Sequence, residues 1–168
     1  MNKEKSFIAV IQQNSGLIYK AASLYTSQKE DREDLVQEII YQLWKSFDSF
    51  EKRSSMSTWI YRVAMNVAIF HLKKSKKRIA KVPIDQSLVN LSSDSTGEAD
   101  SVWETVKLQI QHLTILEKGI LMLYLEEKSY QEIAQIIGIS ESNVGTKLSR
   151  IKAKLKNRVQ KIDDNGIR

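Results

Sequence analysis

Apolar residues recur at helical spacing along three stretches in the first half of the chain. From Phe7 to Tyr25 their positions predict a helix, with a break near residues 14–16, where polar side chains meet a glycine. The second stretch predicts one long amphipathic helix, because its apolar residues repeat every three or four positions; they are Leu35, Ile39, Leu43, Phe47 and Phe50. In the third stretch Thr58 is expected to cap a helix with a buried face, made of Ile60, Val63, Val67 and Phe70.

Polar residues give the second predicted helix an acidic surface. Asp31, Glu33 and Asp34 are expected in its first turn, where negative charge complements the helix dipole. Asp34 also clusters with Gln37 and Glu38 on the face opposite the apolar stripe. Composition alone favours a solvated face for this cluster.

A different polar surface is predicted where the third helix begins. Residues 50–57 lack periodicity and are expected to form a loop. Trp59, Tyr61, Arg62 and Asn66 follow, a combination suited to stacking on and pairing with the unstacked bases of a single strand. Tryptophan and tyrosine serve a protein core equally often, so both interpretations stay open.

The last third of the chain has the pattern of a helix-turn-helix. Ser129 and Glu132 form a capping box that opens a short helix, and Gly138 ends it, because glycine adopts positive φ at little cost. Ser140 is expected to cap a second helix. The apolar faces predicted to pack together hold Ile133, Ala134 and Ile137 in the first helix, and Val144, Leu148, Ile151 and Leu155 in the second.

The second helix of this pair has the features of a DNA-reading helix. Such a helix enters the major groove with its base readers near the N-terminus. The face opposite its apolar row is small, polar and basic, with Ser142, Gly145, Thr146, Ser149 and Arg150. The side chains that can reach phosphates are Lys147, Arg150, Lys152, Lys154 and Lys156. An ordinary helical hairpin with a solvated basic face is the alternative.

Composition divides the chain into two parts. Residues 82–104 hold the only proline, several serines and five acidic residues without a base, which is typical of a linker. We therefore predict an all-α fold of two small helical domains, residues 1–80 and 104–162, joined by a flexible acidic linker at 81–103.

Charge and residue types narrow the function further. The net charge of +6 favours an acidic partner such as nucleic acid. Cysteine is absent and His71 and His112 are isolated, so we expect no disulfide, no metal site, no cofactor and no catalytic centre. We find no apolar run of membrane-spanning length and no uninterrupted signal-peptide core, and the cytoplasm is the expected location.

Two segments of the first domain resemble region two of the extracytoplasmic-function RNA polymerase sigma factors: EDLVQEIIYQLWKSFDSF at 33–50 and STWIYRVAMNVAIFHLKK at 57–74. Residues 129–155 resemble region four of the same family, and the order of the regions also agrees. The resemblance implies a region 2 helical bundle and a region 4 helix-turn-helix in a non-enzymatic subunit that brings bacterial core RNA polymerase to promoter DNA and helps to open it. It also implies an anti-sigma factor as a partner, through which the protein can be held at the membrane.

The resemblance assigns roles to individual residues. Docking on core polymerase is implied for Asp34, Leu35, Gln37, Glu38 and Trp44. Recognition of the minus-ten element is implied for the loop at 50–57 with Lys52 and Arg53, and for Trp59, Tyr61, Arg62, Asn66, Lys73 and Lys74, with phosphate contacts from Lys76, Lys77 and Arg78 as well. Reading of the duplex minus-thirty-five element is implied for Ser142, Asn143, Thr146, Lys147, Ser149 and Arg150.

This chain departs from the family pattern at two places. Residues 113–118 lack the leucine-proline pair that opens region four in many relatives, so the sequence leaves the start of that helix open. Gly145 stands where many members have lysine or arginine. One DNA contact is therefore expected to be missing, and the promoter sequence that a relative prefers is not expected to apply to this chain.

A helix-turn-helix regulator that acts without core polymerase is the alternative function. Such a protein usually carries a ligand pocket or a phospho-acceptor site, whereas the N-terminal half of this chain is predicted to be entirely helical. A regulator binds its duplex operator alone, whereas a sigma factor binds promoter DNA tightly only with core polymerase.

Overall fold

The computed structural model describes residues 2–79 and 108–166, including the side chains of residues 2–75 and 108–161. Within these ranges the chain forms helices and no strand, which confirms the all-α prediction. The elements are α1 (Lys3–Tyr25), α2 (Lys29–Ser46), a 3₁₀ turn (Phe47–Ser49), α3 (Met56–Ile79), α4 (Ile115–Leu125), α5 (Tyr130–Ile137) and α6 (Glu141–Gly166). The predicted linker at 81–103 lies outside the described residues. Among the helices just named, none is both long and apolar enough to span a bilayer.

Helix α1 runs without interruption, so the predicted break at residues 14–16 is wrong. The polar side chains bond back to the helix: the Asn14 amide donates to the Val10 carbonyl at 2.8 Å, and the Ser15 hydroxyl donates to the Gln12 carbonyl at 3.2 Å. A glycine inside a helix costs roughly 1 kcal/mol against alanine. Burial of Phe7 and Ile18 on either side outweighs that cost.

Helix α2 confirms most of its predicted apolar stripe. Leu35, Ile39 and Leu43 are completely buried between α1 and α3. The helix nevertheless ends at Ser46, so Phe47 and Phe50 lie on the 3₁₀ turn and at its end rather than on one long helix. It also begins earlier than expected, and its first turn contains Glu30 and Asp31 instead of Glu33 and Asp34.

Helix α3 begins at Met56, within the stretch 50–57 that was predicted as a loop, and it also differs from its prediction in cap and buried face. Ser55, not Thr58, caps it, because the Ser55 hydroxyl accepts from the Thr58 amide at 3.2 Å while Thr58 itself is buried. The buried residues are Ile60, Tyr61, Ala64, Met65 and Ala68. Val63 and Val67 are half-buried and Phe70 is 68% exposed. The helix contacts α1 and α2 and also α5 of the second unit, so its buried residues differ from those that the spacing of one face predicts.

Helices α4, α5 and α6 pack together as a second unit, in which the predicted helix-turn-helix is confirmed. Ser129 and Glu132 form a reciprocal capping box, and Gly138 ends α5 at φ 83°. The Ser140 hydroxyl accepts from the Asn143 amide and caps α6. The apolar faces meet in a core that includes Ile120, Leu123, Ile133, Val144, Leu148 and Ile151. Ile136 is buried in place of the predicted Ile137, and both Ile137 and Leu155 are half-buried.

The start of α4, which the sequence left open, has its own cap. The Thr114 hydroxyl accepts from the Glu117 amide, and the Glu117 carboxylate accepts from the Thr114 amide at 2.9 Å. A capping box thus starts this helix without the proline that the resemblance led us to expect. The box satisfies two orphan amide groups, whereas a proline would remove one.

The two units contact each other directly through α1 and α3 on one side and α4 and α5 on the other. Gly119 makes the approach possible, because a Cβ there would overlap the Met65 methyl group and stand 3.0 Å from the Tyr25 hydroxyl. That hydroxyl donates to the Ile115 carbonyl at 3.1 Å.

Two polar contacts also join the two units. Lys20 pairs with Glu126 at 2.7 Å, and Lys128 donates to the Ser57 hydroxyl at 2.9 Å. Each bond joins residues far apart in the sequence, which explains why no local pattern predicted the contact.

Candidate polymerase and promoter interfaces

The acidic surface of α2 is exposed, as its composition indicated. Asp34, Gln37 and Glu38 all face solvent, and Glu38 accepts a bond from the Gln42 amide at 3.1 Å. Leu35 lies on the opposite side and is completely buried, so it supports the helix from beneath. The surface thus offers acceptor groups on a rigid, well-packed helix, an arrangement suited to a basic protein surface.

Trp44, the last residue predicted for polymerase docking, lies at the other end of α2. Its ring is 36% exposed and packs edge-on against Phe7 with centroids 5.1 Å apart. The Lys3 ammonium lies 4.4 Å from the ring centroid. Trp44 therefore ties α1 to α2 and still presents part of its ring to solvent.

A groove of about 510 Å³ lies between α2 and α3. Val63, Val67 and Phe70 form its apolar side, and Glu38 and Asn66 lie among the polar residues that line it. The groove thus separates the acidic surface of α2 from the polar surface of α3. A single partner that contacts both the acidic surface of α2 and the polar surface of α3 would therefore also cover the groove.

Trp59 belongs to a row of aromatic rings below the loop at 50–55. Its centroid lies 5.0 Å from that of Phe50 and 6.4 Å from that of Phe47. Trp59 is half-buried, so it packs against Phe50 at the start of the loop and still presents part of its surface to solvent. Both sequence interpretations of this tryptophan, core and surface, thus hold in part.

Tyr61 is only 2% exposed, because the second unit covers it. Burial, followed by the charge and hydrogen bond of Glu126, raises the pKa of Tyr61 to about 12. The Lys128 ammonium lies 5.8 Å from the ring centroid. The structure therefore places this residue in the contact between the two units, away from the other residues predicted for the minus-ten element.

The remaining residues predicted for the minus-ten element face solvent wherever the structure describes their side chains. The exposed ones are Lys52, Arg53, Arg62, Asn66, Lys73 and Lys74. Lys52 adopts φ 54°, and Arg53 pairs with Glu51. The side chains of Lys76, Lys77 and Arg78 lie outside the described residues. The exposed set leaves a basic strip along α3 and its loop, whose charge fits a phosphate backbone.

The reading face of α6 is open to solvent along its first three turns. Ser142, Asn143, Thr146, Ser149 and Arg150 are exposed, and Lys147 is half-buried. The Thr146 hydroxyl donates to the Ser142 carbonyl at 3.1 Å, which leaves its oxygen free to accept. Short polar side chains and one arginine therefore face the space that a major groove would fill.

Two lysines of α6 that were expected to reach phosphates have partners within the second unit. Lys154 pairs with Glu117, and Lys152 donates to the Tyr124 hydroxyl at 3.0 Å. Burial disfavours the charged form of Glu117, but the bonds from Lys154 and Thr114 outweigh it and lower the pKa of Glu117. Lys154 is thus engaged in holding α6 to α4.

The sequence interpretation missed two features near these surfaces. It did not foresee the polar contact between the units, formed by Lys20, Ser57, Glu126 and Lys128. It also did not single out Tyr130, whose ring lies against Gly145. Within residues 2–79 and 108–166, no group of three histidine, aspartate or glutamate residues is placed to hold a metal ion.

Comparison with known proteins places the chain in one family. The family models for "Sigma-70 region 2" and "Sigma-70, region 4" match residues 10–78 and 104–155. The ECF RNA polymerase sigma-E factor of Escherichia coli is 30% identical over 156 residues, which cover 84% of this chain and 82% of that protein. RNA polymerase sigma factor YlaC of Bacillus subtilis is 28% identical, over 81% of this chain and 82% of that protein.

Two further similarities differ in extent. ECF RNA polymerase sigma factor SigG of Mycobacterium tuberculosis is 29% identical over 77% of this chain, which spans only 42% of the length of SigG. The sigma factor RpoE, solved in complex with the anti-sigma factor NepR from Bartonella quintana, shares the fold with a TM-score of 0.73 at 19% identity, over 93% of this chain and 98% of that one. The chain belongs to the extracytoplasmic-function family of RNA polymerase sigma factors.

Proposed function

We propose that this chain binds core RNA polymerase, directs it to specific promoters and helps to open the DNA. The observation that carries the proposal is the presence of two separate DNA-type surfaces in one sigma-family chain. One is the basic strip on α3 and its loop, and the other is the exposed reading face of α6. A regulator that acts alone needs only the second surface.

The acidic face of α2 is the proposed docking surface for core polymerase. Asp34, Gln37 and Glu38 make the polar contacts, Leu35 supports them from the core, and Trp44 adds a partly exposed ring at the end of the helix. Opposite charges across an interface speed association and fix its register. The docking partner is therefore expected to present basic side chains to α2.

The minus-ten element is proposed to bind on α3 and the preceding loop. Asn66 and Arg62 offer donors to an unstacked base, while Lys73 and Lys74 hold phosphates. Taking a base out of the stack costs a few kcal/mol, which contacts such as stacking on the exposed part of Trp59 would offset. Lys52 and Arg53 extend the same basic surface along the loop.

The minus-thirty-five element is proposed to bind α6 as duplex. Arg150 suits bidentate recognition of guanine. The hydroxyls of Ser142 and Ser149 can donate or accept at base edges, and the Thr146 hydroxyl, which donates to the Ser142 carbonyl, can accept there. Asn143 can pair with adenine in the same groove, and Lys147 contacts the backbone.

The use of both elements at once requires the two units to separate. The element names imply a spacing of about 25 base pairs, which is roughly 85 Å along duplex DNA. A compact protein of this length has a diameter of about 40 Å. The closed arrangement, in which α3 contacts α5, therefore represents the chain before it engages a promoter, and opening also exposes Tyr61 for its proposed minus-ten contact.

The proposed partners are core polymerase, promoter DNA and an anti-sigma factor, which could hold the chain in the cytoplasm at the membrane. The chain is proposed to have no catalytic activity of its own. The proposal for an anti-sigma partner is supported by the fold, which is shared with a sigma factor solved in complex with one. No cofactor is needed for any of these steps.

In vitro transcription tests this function directly. Core polymerase is supplied with a library of promoter templates, with and without the chain, and we expect some templates to become active only on its addition. A gel shift with the chain alone provides the second arm. If no template is activated and the chain binds a duplex site tightly without polymerase, the helix-turn-helix regulator replaces the sigma factor.

A further inference from the structure

A cavity lined by basic and amide side chains lies in the second unit, toward the C-terminal end of α6. Its volume is about 290 Å³, and the described residues that line it are Gln109, His112, Arg158 and Lys161. Gln109 and His112 belong to the turn that precedes α4, which is closed by a bond from the His112 amide to the Gln109 carbonyl at 3.2 Å. The cavity is therefore formed where two segments that are far apart in the sequence meet.

The cavity offers hydrogen-bond donors and positive charge. Arg158 and Lys161 carry cationic groups, and the side chains of Gln109 and His112 can donate N–H bonds. Among the described residues that line the cavity, none is acidic. The Nη1 atom of Arg158 is shielded from solvent and has no hydrogen-bond partner within the described part of the chain. Since native proteins leave few buried donors without an acceptor, this guanidinium indicates that an acceptor binds here.

The promoter duplex cannot supply this acceptor from the reading face of α6. Arg158 follows Ile151 by seven positions and Leu155 by three, so it continues the apolar row that packs against the rest of the unit. The reading residues are exposed on the opposite face. The last of them, Arg150, lies eight residues before Arg158, which is roughly 12 Å along the helix axis. The acceptor is therefore expected on a different molecule.

The donor set and the volume indicate the chemistry of that molecule. A guanidinium matches pairs of phosphate oxygens, and an ammonium adds a point charge. At about 30 Å³ for each water molecule, the cavity has the volume of roughly ten waters. A pyrophosphoryl group, with two phosphorus and seven oxygen atoms, is of this size and carries more than one negative charge. A single carboxylate would leave most of the cavity open and one of the two cations without a partner.

We propose that this cavity binds the pyrophosphoryl group of a small molecule. Arg158 and Lys161 pair with the phosphate oxygens, while Gln109 and His112 donate to those that remain. The inference goes beyond the proposed sigma function, because it gives the second unit a small-molecule ligand. The bound group joins the turn before α4 to the end of α6. It therefore stabilises the folded second unit, as any ligand does that binds only the folded state.

Isothermal titration of the full chain at constant ionic strength tests the site with three probes: sodium pyrophosphate, ADP and adenosine. We expect pyrophosphate and ADP to bind with a stoichiometry near one and adenosine not to bind. Tighter binding of ADP would identify a nucleotide as the source of the group, and equal or tighter binding of pyrophosphate would identify the free ion. Failure of both pyrophosphate and ADP to bind would overturn the inference.

Two substitutions test the cations. Arg158→Met keeps an apolar side chain on the row of α6 and removes the guanidinium, so both phosphate probes should bind more than ten-fold more weakly. Without a probe, this variant should melt at no lower temperature than wild type, because it loses an unpaired donor rather than a contact. Lys161→Gln should weaken binding about five-fold. Lys5→Gln, at an exposed position on α1, is the matched control and should bind like wild type.

The chain has only two histidines, which provides an internal control for the location of the site. Pyrophosphate should shift the NMR signals of the His112 ring and leave those of His71 on α3 in place. Equal shifts of both rings would overturn the inference, because they would indicate diffuse attraction of the anion to basic surfaces.

Two further results would also overturn it. One is unchanged affinity for both phosphate probes in Arg158→Met and Lys161→Gln. The other is unchanged probe affinity together with weaker binding of these variants to core polymerase, which would mark the cavity as a protein contact. Each of these results leaves the outcome of in vitro transcription untouched, so the ligand site can fail while the sigma function stands.

Discussion

Two helices carry the residues proposed to recognise DNA, and they differ in what covers them. On α6 the reading residues face solvent, and the apolar row beneath them is buried within their own unit. On α3, Tyr61 is covered by the other unit, and Trp59 is half-buried among aromatic rings. The surface proposed to read duplex DNA is therefore exposed in the closed chain, whereas part of the surface proposed for melted DNA is covered until the units separate.

Gly119→Leu is expected to have the largest effect on how far the second unit covers α3. A side chain at this position overlaps Met65 and crowds the Tyr25 hydroxyl, so the units should separate. Overpacking of this kind costs about 1–3 kcal/mol, enough to lower the closed fraction roughly ten-fold. The chain has no cysteine, so labels at Lys29→Cys and Lys156→Cys allow the separation to be followed by energy transfer.

Gly16→Leu is the matched control for that experiment, because nothing lies within 4 Å of a Cβ at Gly16. Its energy transfer should equal that of the wild-type chain. A second change, Met65→Ala, should restore closure to the Gly119→Leu chain by removing the overlapping methyl group. Unchanged energy transfer in folded Gly119→Leu would show that the contact at Gly119 does not hold the units together.

Asn66→Ala should produce the next largest effect. Asn66 is exposed and supports no core contact, so the variant should fold and bind core polymerase like wild type. Promoter opening should fall about ten-fold, since a base contact is worth about 1–3 kcal/mol. Permanganate reactivity of the melted strand measures opening, and a DNA-free titration measures polymerase binding.

Trp59→Phe sharpens the same comparison. It retains packing against Phe50 but reduces the ring area available to a base, so opening should fall by a smaller factor than in Asn66→Ala. Lost polymerase binding in either variant would instead indicate a structural defect of α3.

The capping boxes of the second unit should show a smaller, pH-dependent effect. The bond from the Ser129 backbone, the largest contribution, lowers the pKa of Glu132 in the folded chain. A lowered folded pKa stabilises the fold above the unfolded value, near 4.3, and the stabilisation is lost as pH falls through the folded value. Urea unfolding should therefore show wild type more stable than Glu132→Gln at pH 7, with the difference shrinking below about pH 4. An equal difference at both pH values would contradict this role.

The smallest effect is expected from Lys20→Gln at the contact between the units. Lys20 and Glu126 are both partly exposed, and pairs of this kind contribute about 0–1 kcal/mol. The closed fraction should fall by less than about five-fold, and the difference from wild type should vanish at high salt. Energy transfer between the same two labels measures the closed fraction at low and at high salt. An effect as large as that of Gly119→Leu would show that the polar contact holds the units together as strongly as the apolar one.

The parts of the fold that could be predicted are those with local causes. Ser129, Glu132, Gly138 and Ser140 each act on backbone groups within four residues, so the helix-turn-helix follows from a short stretch of sequence. Leu35, Ile39 and Leu43 lie on a helix with one buried side, and their spacing identified that side.

The predictions that were wrong concern residues whose surroundings come from elsewhere in the chain. The break in α1 was predicted from residues that break isolated helices, but packing of the whole helix outweighs their preference. Thr58 was predicted as a cap and is buried, and Phe70 was predicted as buried and is largely exposed, because α3 packs against both units.

By itself the sequence determined the helical class, the helix-turn-helix and the family. Each of these depends on residue spacing, on helix caps or on short motifs that follow one another in order along the chain. Only the tertiary structure decided that Gly119 admits Met65, that Tyr61 is covered, and that the Tyr130 ring lies over Gly145. Each of these contacts joins residues at least fifteen positions apart, and each depends on the shape of two side chains meeting, which no periodicity encodes.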